Sequence, residues 1–232
     1  FLAKDNVPSN VDLLYAHFLH TPASVARYTS MLLNIPWSCS AHAIDVWTTP
    51  EWEIRDKVEH CKWIITCTKT NQKYLNKFTD DPEKIDWKEI SRRAKAGQMI
   101  LTSGPYLEVE TADGVLPGGH ARANDEIELK VRVQCASWID IDRVQVLVNG
   151  RVEPALNFTR ETHPKWFSDE VLKFDRSILV PLDEDAHLVV VAYGENFDLK
   201  KGYGSSSQSA MNPCAYNNPI FVDVDGNGFT PN

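Results

Sequence analysis

The spacing of apolar residues changes part-way along this chain, and that change limits the folds open to it. Glu126-Ile127-Glu128-Leu129-Lys130-Val131-Arg132-Val133 alternates strictly, as a strand does when one face is buried and the other wet. Nothing before about Lys77 behaves so. There, short apolar runs alternate with stretches of helical period. Val11 to Ala16 fits a buried strand, and Thr21-Pro22 fits a helix start, with Thr as cap and Pro in the first turn. Val25, Tyr28, Leu32 and Leu33 then form one apolar stripe, and Pro36 closes the helix. Trp37 to Ser40 reads as the next strand. Thr49-Pro50 opens a second helix to about His60, with Trp52 and Val58 turned inward. Lys62 to Cys67 is a third strand, and Lys69 to Leu75 a third helix. Alternation of this kind predicts a parallel sheet with helices packed on it.

Asp80-Asp81-Pro82 marks a linker. Asp86-Trp87-Lys88-Glu89 has the capping-box pattern, and the helix it opens ends at Gly97. Beyond Gly97, Val144 to Val148 is a strand, and Asn149-Gly150 is the strongest short hairpin signal. Ser177 to Val180 and His187 to Tyr193 are further strands. The spacing suggests an antiparallel β-sandwich of roughly seven or eight strands. The expected organisation is therefore α/β plus all-β: a front domain over 1–79, a linker and helix over 80–97, and a sandwich over 98–232. The fold boundary is expected between Lys77 and Trp87.

A net charge of -8 and the absence of any Lys/Arg run longer than a pair such as Arg92-Arg93 argue against a nucleic-acid partner. No apolar stretch approaches the roughly 20 residues of a transmembrane segment. No signal peptide is visible, and a cytoplasmic location is the expectation. The five cysteines, Cys39, Cys61, Cys67, Cys135 and Cys214, are odd in number and include no Cys-x-x-Cys, so neither a disulfide framework nor a zinc ribbon is implied. Cys39 and Cys67 read as small buried hydrophobes. A Cys135–Cys214 bond is left open.

The front carries Ala16-His17-Phe18, Thr21-Pro22-Ala23-Ser24-Val25-Ala26, Ile35-Pro36-Trp37-Ser38, Ala41-His42-Ala43-Ile44-Asp45-Val46-Trp47, Thr66-Cys67-Thr68 and Tyr74-Leu75. Together these resemble the N-terminal half of a family 4 (GT-B) glycosyltransferase over residues 7–78, which implies that the front is a partial Rossmann-like parallel sheet. By the sequence alone, His42 falls just past the carboxyl end of a parallel strand, where open α/β sheets bind ligands. The resemblance implies that His42 is the catalytic-site residue facing the transferred sugar. It implies substrate-binding roles for His17, at the equivalent place after the first strand, and for Asp45, which would orient His42 or bind acceptor. The family's glycine-rich first turn is absent. So is its donor-binding domain with a Glu-x7-Glu element. Glu51 and Glu59 have that spacing but lie on a helix of the wrong domain.

The back carries Ala96 to Leu107, Pro117-Gly118-Gly119, Val144 to Gly150 and Asn218 to Gly228. These resemble the region that follows the metal-binding barrel in CehA/McbA-type metallohydrolases of the PHP superfamily, over residues 86–232. That family's barrel holds a cluster of divalent metals that activates water. No His-x-His or Asp-x-His motif appears upstream of Gly97, where that barrel would lie, so no metal ligand is assigned. His120, His163 and His187 read as structural or surface residues. Asp223-Val224-Asp225-Gly226-Asn227-Gly228 begins like a calcium loop but lacks the distal Glu, and reads as an acidic turn.

The expectation is a chimera of two enzyme pieces, catalytically incomplete as this chain, with no cofactor of its own. Nucleotide-sugar or divalent metal enters only through the resemblances, with a donor-domain or barrel-domain chain as the missing partner. The alternatives are a glycosyltransferase subunit completed by a partner chain, and a carbohydrate- or protein-binding sandwich. For the last, Trp138 and Trp166-Phe167 are the aromatic residues in question.

Overall fold

The computed structural model describes residues 11–230 and divides into two units, one ending at Arg93 and the other beginning at Ala94. In the front unit the elements run β1 (Leu14–His17), α1 (Thr21–Leu33), β2 (Trp37–Ala41), α2 (Ala43–Thr48), α3 (Glu51–His60), β3 (Ile64–Thr66), α4 (Lys69–Leu75), a 3-10 turn (Asn76–Phe78) and β4 (Ile85–Asp86). Helix α5 (Lys88–Lys95) crosses the division.

The four strands pair in parallel, in the order β1-β2-β3-β4. Right-handed crossovers that always advance in one direction place every helix on one face. The packing agrees: Ala16, Trp37, Cys39, Ala41, Ile64 and Ile85 share a core with Ala23, Val46, Ile54, Val58 and Leu75 from the helices. A doubly wound sheet reverses direction at a switch point. The described strands do not reverse, so the unit is parallel α/β without a demonstrated Rossmann order.

Several local expectations are corrected. The stretch read as linker supplies β4, with Ile85 fully buried against β3. His20, not Thr21, is the residue before α1, and Thr21 makes no side-chain cap. Asn34 ends α1 in the left-handed conformation at φ 54°, ahead of Pro36. Helix α2 was not anticipated. Helix α3 buries Ile54, Lys57 and Val58 and leaves Trp52 72% exposed. The stripe of α1 points outward: Val25, Tyr28 and Leu32 are exposed, while Ala23, Arg27 and Thr29 face the core. On the inward side Arg27 donates to Asp56 on α3 through Nε and Nη2, each at 2.5 Å. The guanidinium holds Asp56 below its ordinary value.

Asp86 does receive the Lys88 N–H at 2.8 Å, yet the capping box fails because Glu89 turns to Arg92 and Arg93. Gly97 follows α5 at φ 71°, as expected of a residue past a helix end.

The back unit holds ten strands: β5 (Ile100–Thr102), β6 (Tyr106–Thr111), β7 (His120–Arg122), β8 (Glu126–Gln134), β9 (Arg143–Val148), β10 (Arg151–Thr159), β11 (Leu172–Pro181), β12 (Ala186–Tyr193), β13 (Cys214–Asn217) and β14 (Ile220–Asp223), with a short α6 (Lys200–Tyr203). One sheet is β10-β9-β12-β13-β5, with β14 also on β12 and β7 on β14; the other is β11-β8-β6. Both bury their inner faces in one core, the layering of a β-sandwich.

Strand β8 buries Ile127, Leu129, Val131 and Val133 in strict alternation. Asn149 and Gly150 join β9 to β10 with φ of 50° and 73°, the two positive values that a type I′ turn needs. Cys39, Cys61 and Cys135 are buried and free, and Cys214 is half-buried and free; burial pushes the Cys61 and Cys135 thiols up to about 11. Cys67 is exposed, contrary to the sequence reading, because it lies in the loop after β3.

Candidate functional site

The carboxyl ends of β1 and β2 carry the residues singled out from sequence. His17 is the last residue of β1 and is exposed; its Nδ1 lies 3.1 Å from the Ser40 hydroxyl across the strand pair. His42 directly follows β2, stands at the N-cap of α2 and is half-buried. Between them Phe18 packs on His42, ring centroids 5.3 Å apart, with His20 on its other flank at 6.5 Å.

The loop that makes this arrangement is strained. Phe18 has φ 75°, a value that bulky residues avoid. Such a residue persists only where its surroundings over-determine it. Here two buried side chains do so. Asp45 is fully buried; its Oδ1 accepts the His42 backbone N–H at 2.7 Å, and its Oδ2 accepts the Leu19 N–H. Lys57, 1% exposed, donates from Nζ to the Leu19 carbonyl at 2.6 Å and the His20 carbonyl at 3.0 Å. Its charge is met by Glu53 Oε1 at 2.5 Å, and that contact holds the Glu53 carboxyl below its usual range. Leu19 itself is fully buried. Both backbone groups of one residue are thus clamped from two helices, and Phe18 is left to project beside His42.

Of the two roles that the resemblance offers Asp45, this geometry favours holding His42 and disfavours direct contact with an acceptor, since both carboxylate oxygens are occupied and shielded. Phe18, Lys57 and Glu53 were not singled out from sequence. The signal for Lys57 was its place four residues after Glu53 on a helix whose apolar positions, Ile54 and Val58, bracket it.

On the same sheet, the face opposite the described helices carries a row made of Tyr15, Ser38 and Trp63. The Tyr15 and Trp63 rings are 5.5 Å apart, and Ser38 beneath them is fully buried with no partner for its hydroxyl. Burial raises the Tyr15 hydroxyl above its ordinary value.

In the back unit, His120 stacks on Phe221, His163 packs between Phe158 and Trp166, and the His187 backbone N–H binds Asn149 Oδ1. Among the described residues, one set of potential ligands converges: Asp185, Asp223 and Asp225. All six of their oxygens already accept N–H groups of the segment from Val224 to Thr230. Arg122 lies 3.6 Å from Asp223. These contacts describe an acidic turn that closes β14. Phe167 is buried, Trp166 joins the aromatic cluster of Phe158 and Phe174, and Trp138 is half-exposed beside Gly202.

No protein-family model matches the chain, and no curated protein matches it. Among solved structures, a lytic polysaccharide monooxygenase AA15 from Thermobia domestica in the Cu(I) state aligns at 12% identity over 49% of this chain and 68% of that one, with a TM-score of 0.25. A score that low is no basis for a shared fold. No helix among the described residues is long and apolar enough to cross a membrane.

Proposed function

We propose that the chain joins the acceptor-side part of a family 4-type glycosyltransferase to the accessory β domain of a PHP-type metallohydrolase, and that it completes neither reaction alone. The observation that carries this reading is the His42 corner. It presents an imidazole past the carboxyl end of a parallel strand, an aromatic ring against it, and a second histidine one strand away. An aromatic face with adjacent hydrogen-bonding groups suits a sugar ring. His42 would bind a hydroxyl of the sugar or steady charge developing at its anomeric carbon. Glycosyl transfer also needs the donor's phosphates held in line with the acceptor. The described front unit has four parallel strands in one sheet, and the resemblance covers only the family's acceptor-side half. A nucleotide-sugar would therefore be held by a partner chain.

For the back, support comes from three stretches that carry the metallohydrolase resemblance and lie far apart in sequence. Gly97, Gly118 and Asn218 meet at one corner: Asn218 Nδ2 donates to the Gly97 carbonyl at 3.0 Å, and the Gly118 N–H to the Pro219 carbonyl at 2.8 Å. The pattern thus marks a packing joint, which fits an accessory domain.

The purified chain is expected to transfer no sugar from uridine- or guanosine-linked donors to simple glycoside or lipid acceptors. It is also expected to hydrolyse no phosphoester with added magnesium, manganese or zinc. The assay pairs wild type with His42→Ala. Sugar transfer that disappears in the variant would make the front unit a complete enzyme. Metal-dependent hydrolysis indifferent to the variant would place a metal site in the back unit. Either result overturns the proposal.

A further inference from the structure

We infer that the outer edge of β1 and the outward face of α1 form a self-association surface, on which a second copy of the chain docks about a two-fold axis. The surface begins as a groove of about 590 Å³ along β1, lined by Leu14, Tyr15, Ala16, Pro22, Val25 and Ala26. It continues onto α1 through Tyr28, Met31 and Leu32, which are 62%, 66% and 74% exposed. This is the stripe that the sequence marks as apolar and that the structure leaves exposed, with Arg27 held on the opposite side of α1 by Asp56.

Three arguments select a second copy as occupant. The first is area. Taking about 200 Å² for a fully exposed large side chain, Val25, Tyr28, Met31 and Leu32 present roughly 500 Å² at the exposures they show. That lies within the ~300–600 Å² of the largest patch on a typical monomer, a patch that is often functional. It matches one side of a weak interface, which buries under ~1,200 Å² in total. The second is charge. The chain carries -8 overall, which opposes self-association at large. From Thr21 to Pro36 the one charged residue is Arg27, which is buried and neutralised by Asp56. This face can meet its own image without repulsion.

The third is symmetry. Among the described residues β1 pairs only with β2. A two-fold axis along the edge of β1 away from β2 sets β1 antiparallel to the β1 of its copy and lays the two α1 helices side by side. Val25, Tyr28 and Leu32, at i, i+3 and i+7, supply the ridge that helix pairs interlock. The inference does not depend on the proposed chemistry.

The test is sedimentation velocity of the whole chain from low micromolar to several hundred micromolar. A monomer–dimer equilibrium is expected. In Tyr28→Glu/Leu32→Glu it should weaken at least ten-fold with an unchanged circular dichroism spectrum, because both residues are solvent-exposed in the monomer. Leu179→Glu, at an exposed position on β11 in the other unit, should leave association unchanged. Hydrogen exchange on wild type provides a second reading that needs no variant: amides of residues 14–17 should gain protection with concentration. A monomer throughout the range overturns the inference. So does a dimer that ignores the Glu pair and leaves residues 14–17 unprotected. A chain that stays monomeric but binds a separate partner on this face also overturns it.

Discussion

Asp45→Ala is expected to unfold the front unit selectively. The substitution strands two backbone N–H groups, the buried one of Leu19 and the half-buried one of His42. Each orphaned donor costs about 1–3 kcal/mol, so the loss is about 2–5 kcal/mol. The left-handed Phe18 makes relaxation hard, because the Leu19 N–H is one of the contacts that hold it. Asp45→Asn keeps one acceptor and should lose about half as much. Five of the seven tryptophans, Trp37, Trp47, Trp52, Trp63 and Trp87, lie in the front unit. Tryptophan emission therefore reports mainly on that unit, and the β signal in far-ultraviolet dichroism mainly on the other. Denaturant melts should show the emission midpoint falling sharply in Asp45→Ala while the β signal barely moves. Equal shifts in both signals would mean that the units do not melt separately.

Gly118→Ala should damage the back unit by a comparable amount. Gly118 has φ 82°, and a Cβ built on it stands 2.7 Å from the Gly97 Cα and closer still to the Ala96 carbonyl. Both obstacles are backbone, so no side chain can swing aside. The left-handed conformation alone costs about 1–2 kcal/mol for a residue with a Cβ. Separating the two backbones would also break the bonds from Gly118 to Pro219 and from Asn218 to Gly97. The total is on the order of 4 kcal/mol. Gly114→Ala is the control: its φ is also 82°, but nothing lies within 4 Å, so only the conformational part is lost. If the two variants melt together, the close approach at Gly97 is not what fixes Gly118.

The back unit was the more legible part. Residues 126–133 state their burial directly because an antiparallel strand with one wet face has a period of two. Asn149-Gly150 states its turn because few other pairs accept two positive φ values. Some strands were missed where the signal was too short, as at His120–Arg122, whose partner β14 lies about a hundred residues away.

The front was legible as alternation but not as orientation. The α1 stripe pointed the wrong way because Arg27, a charged residue, is the one held inside by Asp56, a partner on another helix. Ile85 gave no strand signal: its run is two residues long, and its burial comes from β3. At the candidate site, His42 and His17 could be placed from the strand ends. The clamp at Leu19 could not, since a buried Lys57 reads in sequence like any solvated lysine on a charged helix. That the whole front forms a smaller body than its partner follows from composition only in part. Among the described residues, fourteen buried apolar side chains form its core against twenty-seven in the back unit.

That disparity makes the central claim, two separately held pieces with the front the weaker, open to one direct measurement. Native-state hydrogen exchange at low denaturant, at a concentration where the chain is monomeric, reads the opening free energy of each amide. Core amides of β2, α3 and β3 are expected to exchange through one opening, at least ~2 kcal/mol below that of β8, β9 and β12, because a smaller core leaves a smaller stability. A single opening free energy shared by both sets, or stronger protection in the front, would contradict the account.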